Sequence, residues 1–125
     1  VPTNIIVGDR MWLIDWEYSG LGDPYSDLGD FAGKCGLTAV EERALIEVYA
    51  GRYSVDVHAW LRAYRYINIL REALWGLSIA SVGKEESDYE GYARGRFTEV
   101  REYCATPEFA WAMNQLTGRR VLDPH

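Results

Sequence analysis

The sequence lacks several features that would fix its class at once. Its two cysteines, Cys35 and Cys104, form no CxxC pair and no metal-ligand spacing. Free thiols in a reducing cytoplasm are therefore expected. There is no apolar run long enough to cross a bilayer, no initiator Met and no charged-then-apolar leader, so no targeting or membrane segment is legible, and the start at Val1 reads as that of a fragment or a processed chain. Basic residues are in deficit: 13 Lys and Arg against 19 Asp and Glu leave a net charge of -6, which argues against non-specific nucleic-acid binding and suits a cationic partner. Internal repeats and low-complexity stretches are absent as well. What is there is a chain of 125 residues with 48% hydrophobic and 14% aromatic content, enough to bury one sizeable core and too little for two, so residues 1–125 read as a single domain.

Two short apolar runs, Asn4-Ile5-Ile6-Val7 and Met11-Trp12-Leu13-Ile14, flank the turn Gly8-Asp9-Arg10 and predict a β-hairpin. Pairing across that turn brings the far ends together, and with them Asn4 and Asp15. An amide and a carboxylate are hard oxygen donors of the kind that Mg²⁺ takes when it is held against nucleotide phosphates. The same two residue types also serve as turn caps and strand ends, and spacing does not separate the readings.

Beyond the hairpin, Ser19-Gly20-Leu21-Gly22-Asp23-Pro24 marks an irregular loop, after which the pattern is helical. Asp27-Leu28 and Phe31-Ala32 predict a short helix stopped near Gly36. Thr38 with Glu41 forms a capping-box pattern for a helix to about Gly51, with Leu45, Val48 and Tyr49 as its inner face. The longest element is expected from near Ser54 to about Gly83, where Trp60, Tyr64, Ile67, Leu70, Leu74 and Leu77 recur at helical spacing. Ser87 with Glu90 repeats the capping box for a helix through Tyr103, and Thr106-Pro107 opens another ending near Gly118. The fold class is mainly α with a short N-terminal β-hairpin.

The segments Asn4-Ile5-Ile6, Ile14-Asp15-Trp16-Glu17-Tyr18 and Gly22-Asp23-Pro24 with Asp27-Leu28 resemble the choline kinase and aminoglycoside phosphotransferase families, in their C-terminal lobe. The resemblance implies a protein-kinase-like fold. It makes Asn4 the metal-binding Asn of an H-x-D-x-x-x-x-N loop and Asp15 the acidic metal ligand after the hairpin. Glu17, with Tyr18 beside it, becomes a substrate-side residue, and Asp27 an architectural carboxylate that caps a helix or braces a loop. It also places the catalytic base five residues before Asn4, outside this chain together with the nucleotide-covering lobe. No catalytic residue is assigned within the chain, and the stretch is expected to be inactive alone.

A second block, Leu74-Trp75-Gly76-Leu77 followed by Asp88-Tyr89-Glu90-Gly91-Tyr92-Ala93-Arg94-Gly95-Arg96-Phe97, resembles the choline/ethanolamine kinase branch, where aromatics enclose a quaternary ammonium. Aromatic faces suit an alkylated cation with few hydrogen-bond donors. Tyr89 and Tyr92 share a helix face, and Trp75 comes from the neighbouring helix. Without the resemblance, the same three residues read as core aromatics, since aromatic side chains are buried for packing far more often than for cation capture. Ser78 stands where a second cage aromatic would be expected, which leaves one wall polar and open to a smaller alcohol.

These readings converge on part of a kinase that transfers the γ-phosphoryl of ATP, with Mg²⁺, to a choline-like cationic alcohol. The alternatives are a thiamine- or aminoglycoside-type phosphotransferase lobe, or a non-catalytic lobe that binds a cation or a partner protein. Oligomeric state is left open.

Overall fold

The computed structural model describes residues 2–15, 20–83 and 88–118. A turn of 3-10 helix, Pro2–Asn4, leads into β1 (Ile5–Val7), which pairs antiparallel with β2 (Met11–Leu13) in the register Ile5↔Leu13, Ile6↔Trp12, Val7↔Met11. The expected hairpin therefore forms around Gly8-Asp9-Arg10, and the Ile14 N–H extends the ladder by donating to the Asn4 carbonyl at 3.0 Å.

Among the described residues five α-helices follow, each started by its own sequence. In α1 (Pro24–Cys35) Asp23 caps the N-terminus by accepting from the Tyr25 N–H at 2.9 Å, Pro24 takes the first turn, and Gly36 ends the helix in the left-handed region. α2 (Ala39–Ala50) carries the complete Thr38–Glu41 capping box. α3 (Val55–Ser81) starts at the N-cap Ser54, and Thr106 accepts from the Phe109 N–H at 3.2 Å to open α5 (Pro107–Gly118). α4 (Tyr89–Cys104) begins one residue later than the capping-box pattern suggests. Asp88, not Ser87, is its N-cap, accepting from the Gly91 N–H at 2.8 Å, and Ser87 lies outside the described residues. Among the described residues no helix is long and apolar enough to cross a membrane.

α3 is the axis of the molecule, packed against α4, α1 and α5. Its buried side is not the large apolar stripe seen in the sequence. Trp60, Ile67, Leu74 and Leu77 are exposed, whereas Ala59, Leu61, Ala63, Ile69, Ala73 and Gly76 face inward. Small residues win this interface because they let the neighbouring helices come close. A Cβ at Gly29 would lie 2.6 Å from the Leu61 carbonyl oxygen, and one at Gly76 would lie 2.8 Å from the Tyr92 ring. α2 is rotated from the expected face in the same way: Val48 is 86% exposed and Tyr49 is exposed, and Leu45 with the buried Ile46 and Glu42 points in. Ala32, Ile46 and Leu61 form the inner cluster, covered by Leu28, Leu37, Leu45, Tyr53 and Val57.

Beside this core lies a buried polar network. The Glu42 carboxylate meets His58 Nε2 at 2.8 Å and accepts from Arg62 Nε at 2.9 Å, the Tyr53 hydroxyl contacts His58 Nδ1 at 3.1 Å, and the Arg62 guanidinium lies over the Trp111 ring. Burial pushes the Glu42 carboxyl up, but the hydrogen bonds and charges of His58 and Arg62 outweigh it and hold the group below its ordinary value.

Two outcomes follow from this packing. Gly29→Ala will cost about 1–3 kcal/mol in urea denaturation despite its better helix propensity, because the new methyl meets backbone. Gly95→Ala, at an exposed helical position with nothing within 4 Å, will gain about 0.5–1 kcal/mol. Since Glu42 is depressed in the folded state, its contribution is present above the unfolded carboxyl pKa and is lost as pH falls through the folded one. Glu42→Gln will therefore cost about 3 kcal/mol near neutral pH and flatten the loss of stability on acidification, measured by denaturation at a series of pH values.

Candidate functional site

The hairpin register brings Asn4 and Asp15 together. Asn4 Nδ2 donates to Asp15 Oδ2 at 2.8 Å, while Asn4 Oδ1 accepts from Thr3 Oγ1 at 3.3 Å and keeps a second lone pair. Asp15 has φ 67°, the sole left-handed non-glycine among the described residues. Asp and Asn tolerate this region better than other side chains, yet it still costs free energy. The kink follows directly on β2 and leaves the carboxylate on the side of Asn4.

An amide oxygen and a carboxylate are the hard donors that Mg²⁺ takes, and two protein ligands leave the rest of an octahedral shell to water and phosphate oxygens. The chemistry of the pair fits Mg²⁺.

The aromatic residues singled out in the sequence meet where α4 packs on α3. Trp75 stands edge-to-face against both Tyr89 (centroids 5.7 Å apart, 82°) and Tyr92 (6.2 Å, 87°). Trp75 is 48% exposed and Tyr92 40%, so this is an accessible aromatic wall and not a sealed core. One face of Tyr92 carries the Arg96 guanidinium at 5.6 Å.

The Tyr92 hydroxyl donates to Glu72 Oε2 at 3.1 Å, Lys34 Nζ sits 2.6 Å from Glu72 Oε1 and 2.9 Å from Asp30, and Arg96 bridges toward Glu72 and Glu99. Burial raises the Glu72 carboxyl, but Lys34, Tyr92 and Arg96 together bring it below its ordinary value. Burial, then the charge and hydrogen bond of Glu72, push the Tyr92 phenol up. A cleft of about 250 Å³ opens beside this group, lined by Gly33, Lys34, Arg65, Asn68, Glu72 and Arg96 among others.

Of the residues singled out in the sequence, the fold thus brings Asn4 to Asp15, and Trp75 to Tyr89 and Tyr92. Glu17 and Tyr18 lie outside the described residues. Asp27 stands exposed in the first turn of α1, where Asp23 holds the N-cap position instead. Ser78 is exposed. Glu72, Lys34 and Arg96 were not legible as site residues. The one signal for Glu72 is its place three residues before Trp75, on the same face of α3.

Titration will read the Tyr92–Glu72 contact directly. In tyrosine-labelled protein followed by NMR, the Tyr92 resonance will titrate above the ordinary tyrosine value of 10.0, and Glu72→Gln will move it downward, since the raising carboxylate charge is gone while Arg96 and Lys34 remain.

No protein-family model matches the chain. Protein LicA from Haemophilus influenzae is 29% identical over 97 residues, which cover 71% of this chain and 36% of LicA; a second Protein LicA from that species matches at the same identity over 29% of its length. The crystal structure of a choline/ethanolamine kinase family protein from Mesorhizobium loti superimposes with a TM-score of 0.76 at 33% identity, covering 87% of this chain and 38% of that one. The chain spans roughly a third of the length of the relatives it matches.

Proposed function

We propose that this chain, which shares the C-terminal-lobe architecture of the protein-kinase-like fold and superimposes at 33% identity on a choline/ethanolamine kinase family protein, serves the transfer of the γ-phosphoryl group of ATP to the hydroxyl of a choline-like cationic alcohol. The observation that carries this reading is the side-by-side placement of the Asn4 amide and the Asp15 carboxylate at the open end of the hairpin, where Asn4 Nδ2 donates to Asp15 Oδ2 at 2.8 Å; turning the amide over would bring its oxygen to the carboxylate side. Asn4 and Asp15 hold Mg²⁺, whose charge offsets that of the phosphoryl group in flight. Trp75, Tyr89 and Tyr92 take the alcohol's ammonium against their ring faces and so orient its hydroxyl. Glu17 and Tyr18, just beyond Asp15 in sequence, belong to the acceptor side. The base that receives the hydroxyl proton falls, by the family pattern, five residues before Asn4.

The composition of the wall favours choline over an aminoglycoside. Several primary ammonium groups call for several free carboxylate oxygens, whereas both oxygens of Glu72, which reaches the wall through the Tyr92 hydroxyl, are engaged. The acidic chain and the exposed free thiols of Cys35 and Cys104 suit a cationic ligand and a reducing cytoplasm.

In the longer protein, Asp15→Ala is expected to lower Mg²⁺-dependent ATP turnover with choline by about a hundredfold or more; normal turnover would refute the metal assignment. In calorimetric titration of this chain, Trp75→Ala will weaken choline binding by about tenfold.

A further inference from the structure

Glu72 is the carboxylate tied to the aromatic wall, bonded to Tyr92 at 3.1 Å and sharing a helix face with Trp75. A carboxylate in that place is the natural seat for a substrate ammonium, but it is already taken. Lys34 Nζ lies 2.6 Å from Oε1, while Oε2 accepts from the Tyr92 hydroxyl and faces Arg96 Nη1 at 3.5 Å. Lys34 is held from its other side by Asp30 at 2.9 Å, and the side chains of Lys34 and Glu72 are only 23% and 19% exposed. Burial lowers the Lys34 ammonium, but its bonds to Glu72 and Asp30 outweigh that and keep it above its ordinary value. The ammonium is therefore a charged, fixed part of the site.

We propose that Lys34 is a specificity-determining residue: its ammonium occupies the Glu72 carboxylate, and so leaves the incoming cation only aromatic faces to bind. This rests on the acceptor reading given above and names its preference. A quaternary ammonium has no N–H to satisfy and loses little on leaving water for π-faces. A primary ammonium brings three N–H donors that need acceptors, and here Lys34 holds Glu72 Oε1 while Tyr92 and Arg96 hold Oε2. The wall thus selects trimethylated alcohols over primary-amine alcohols by withholding an acceptor, which is selection against a competitor as much as for the ligand. Lys34 acts through Glu72 and has no role in the chemistry.

The test is calorimetric titration of choline and of ethanolamine into the wild-type chain and into Lys34→Met, Lys34→Gln and Lys34→Arg, with circular dichroism as the check on folding. Wild type will prefer choline. Both neutral variants will lower the choline-over-ethanolamine ratio by about tenfold, chiefly through tighter ethanolamine binding to the released carboxylates. Lys34→Arg, which keeps the charge, will hold the wild-type ratio. A ratio unmoved in the neutral variants, or moved equally in Lys34→Arg, would overturn the role of Lys34 alone if wild type still selects choline. Absence of binding in every form would overturn it together with the acceptor reading.

Discussion

A carboxylate removed from water must be met by cationic donors or it destabilises the fold, and two such carboxylates tie the five helices to one another. Glu42 on α2 is satisfied by His58 and Arg62 on α3, whose rings and guanidinium in turn pack on Trp111 of α5. The Arg62 carbonyl also accepts from the Tyr103 hydroxyl of α4 at 3.1 Å. Glu72 on α3 draws Lys34 from α1 and both Tyr92 and Arg96 from α4. The first cluster joins α2 to α3 and α5, and the second joins α3 to α1 and to the Tyr92 side of the aromatic wall.

The second constraint is how closely the helices approach. Gly29 lets α1 lie against the α3 backbone, and Gly76 makes room for the Tyr92 ring. Without that close approach of α4, Tyr92 could not stand edge-on to Trp75 while its hydroxyl reaches Glu72. The aromatic wall is thus built by the helix interface and not added to it. The Asn4–Asp15 pair has a different origin. It depends on a three-residue strand register and on one left-handed aspartate, both local to the hairpin.

That difference explains what could be read in advance. The hairpin, the capping box at Thr38, the caps at Ser54 and Thr106 and the helix stops at Gly36 and Gly51 all arise from contacts within a few residues along the chain, and each was legible. Asn4 and Asp15 were legible for the same reason, since a tight turn leaves their strands one pairing. Tyr89 and Tyr92 could be placed on a common face by helical spacing, with Trp75 on the helix opposite. The inner faces were harder. Val48 and Tyr49 on α2, and Trp60, Ile67, Leu74 and Leu77 on α3, have the right period but the wrong side, because hydrophobic bulk marks where a helix could be buried and not how near its neighbour can come.

Taken by itself, the sequence determined the order and limits of the elements, the hairpin pair and the family likeness, all of which rest on local geometry and short motifs. Only the tertiary structure decided that small residues would line the axis of α3, that Glu42 would be buried with His58 and Arg62, and that Lys34 would occupy Glu72 beneath the aromatic wall. Those outcomes join residues far apart in the chain, and their distances are set by how closely glycine and alanine allow the helices to pack, a quantity that no spacing along the sequence contains.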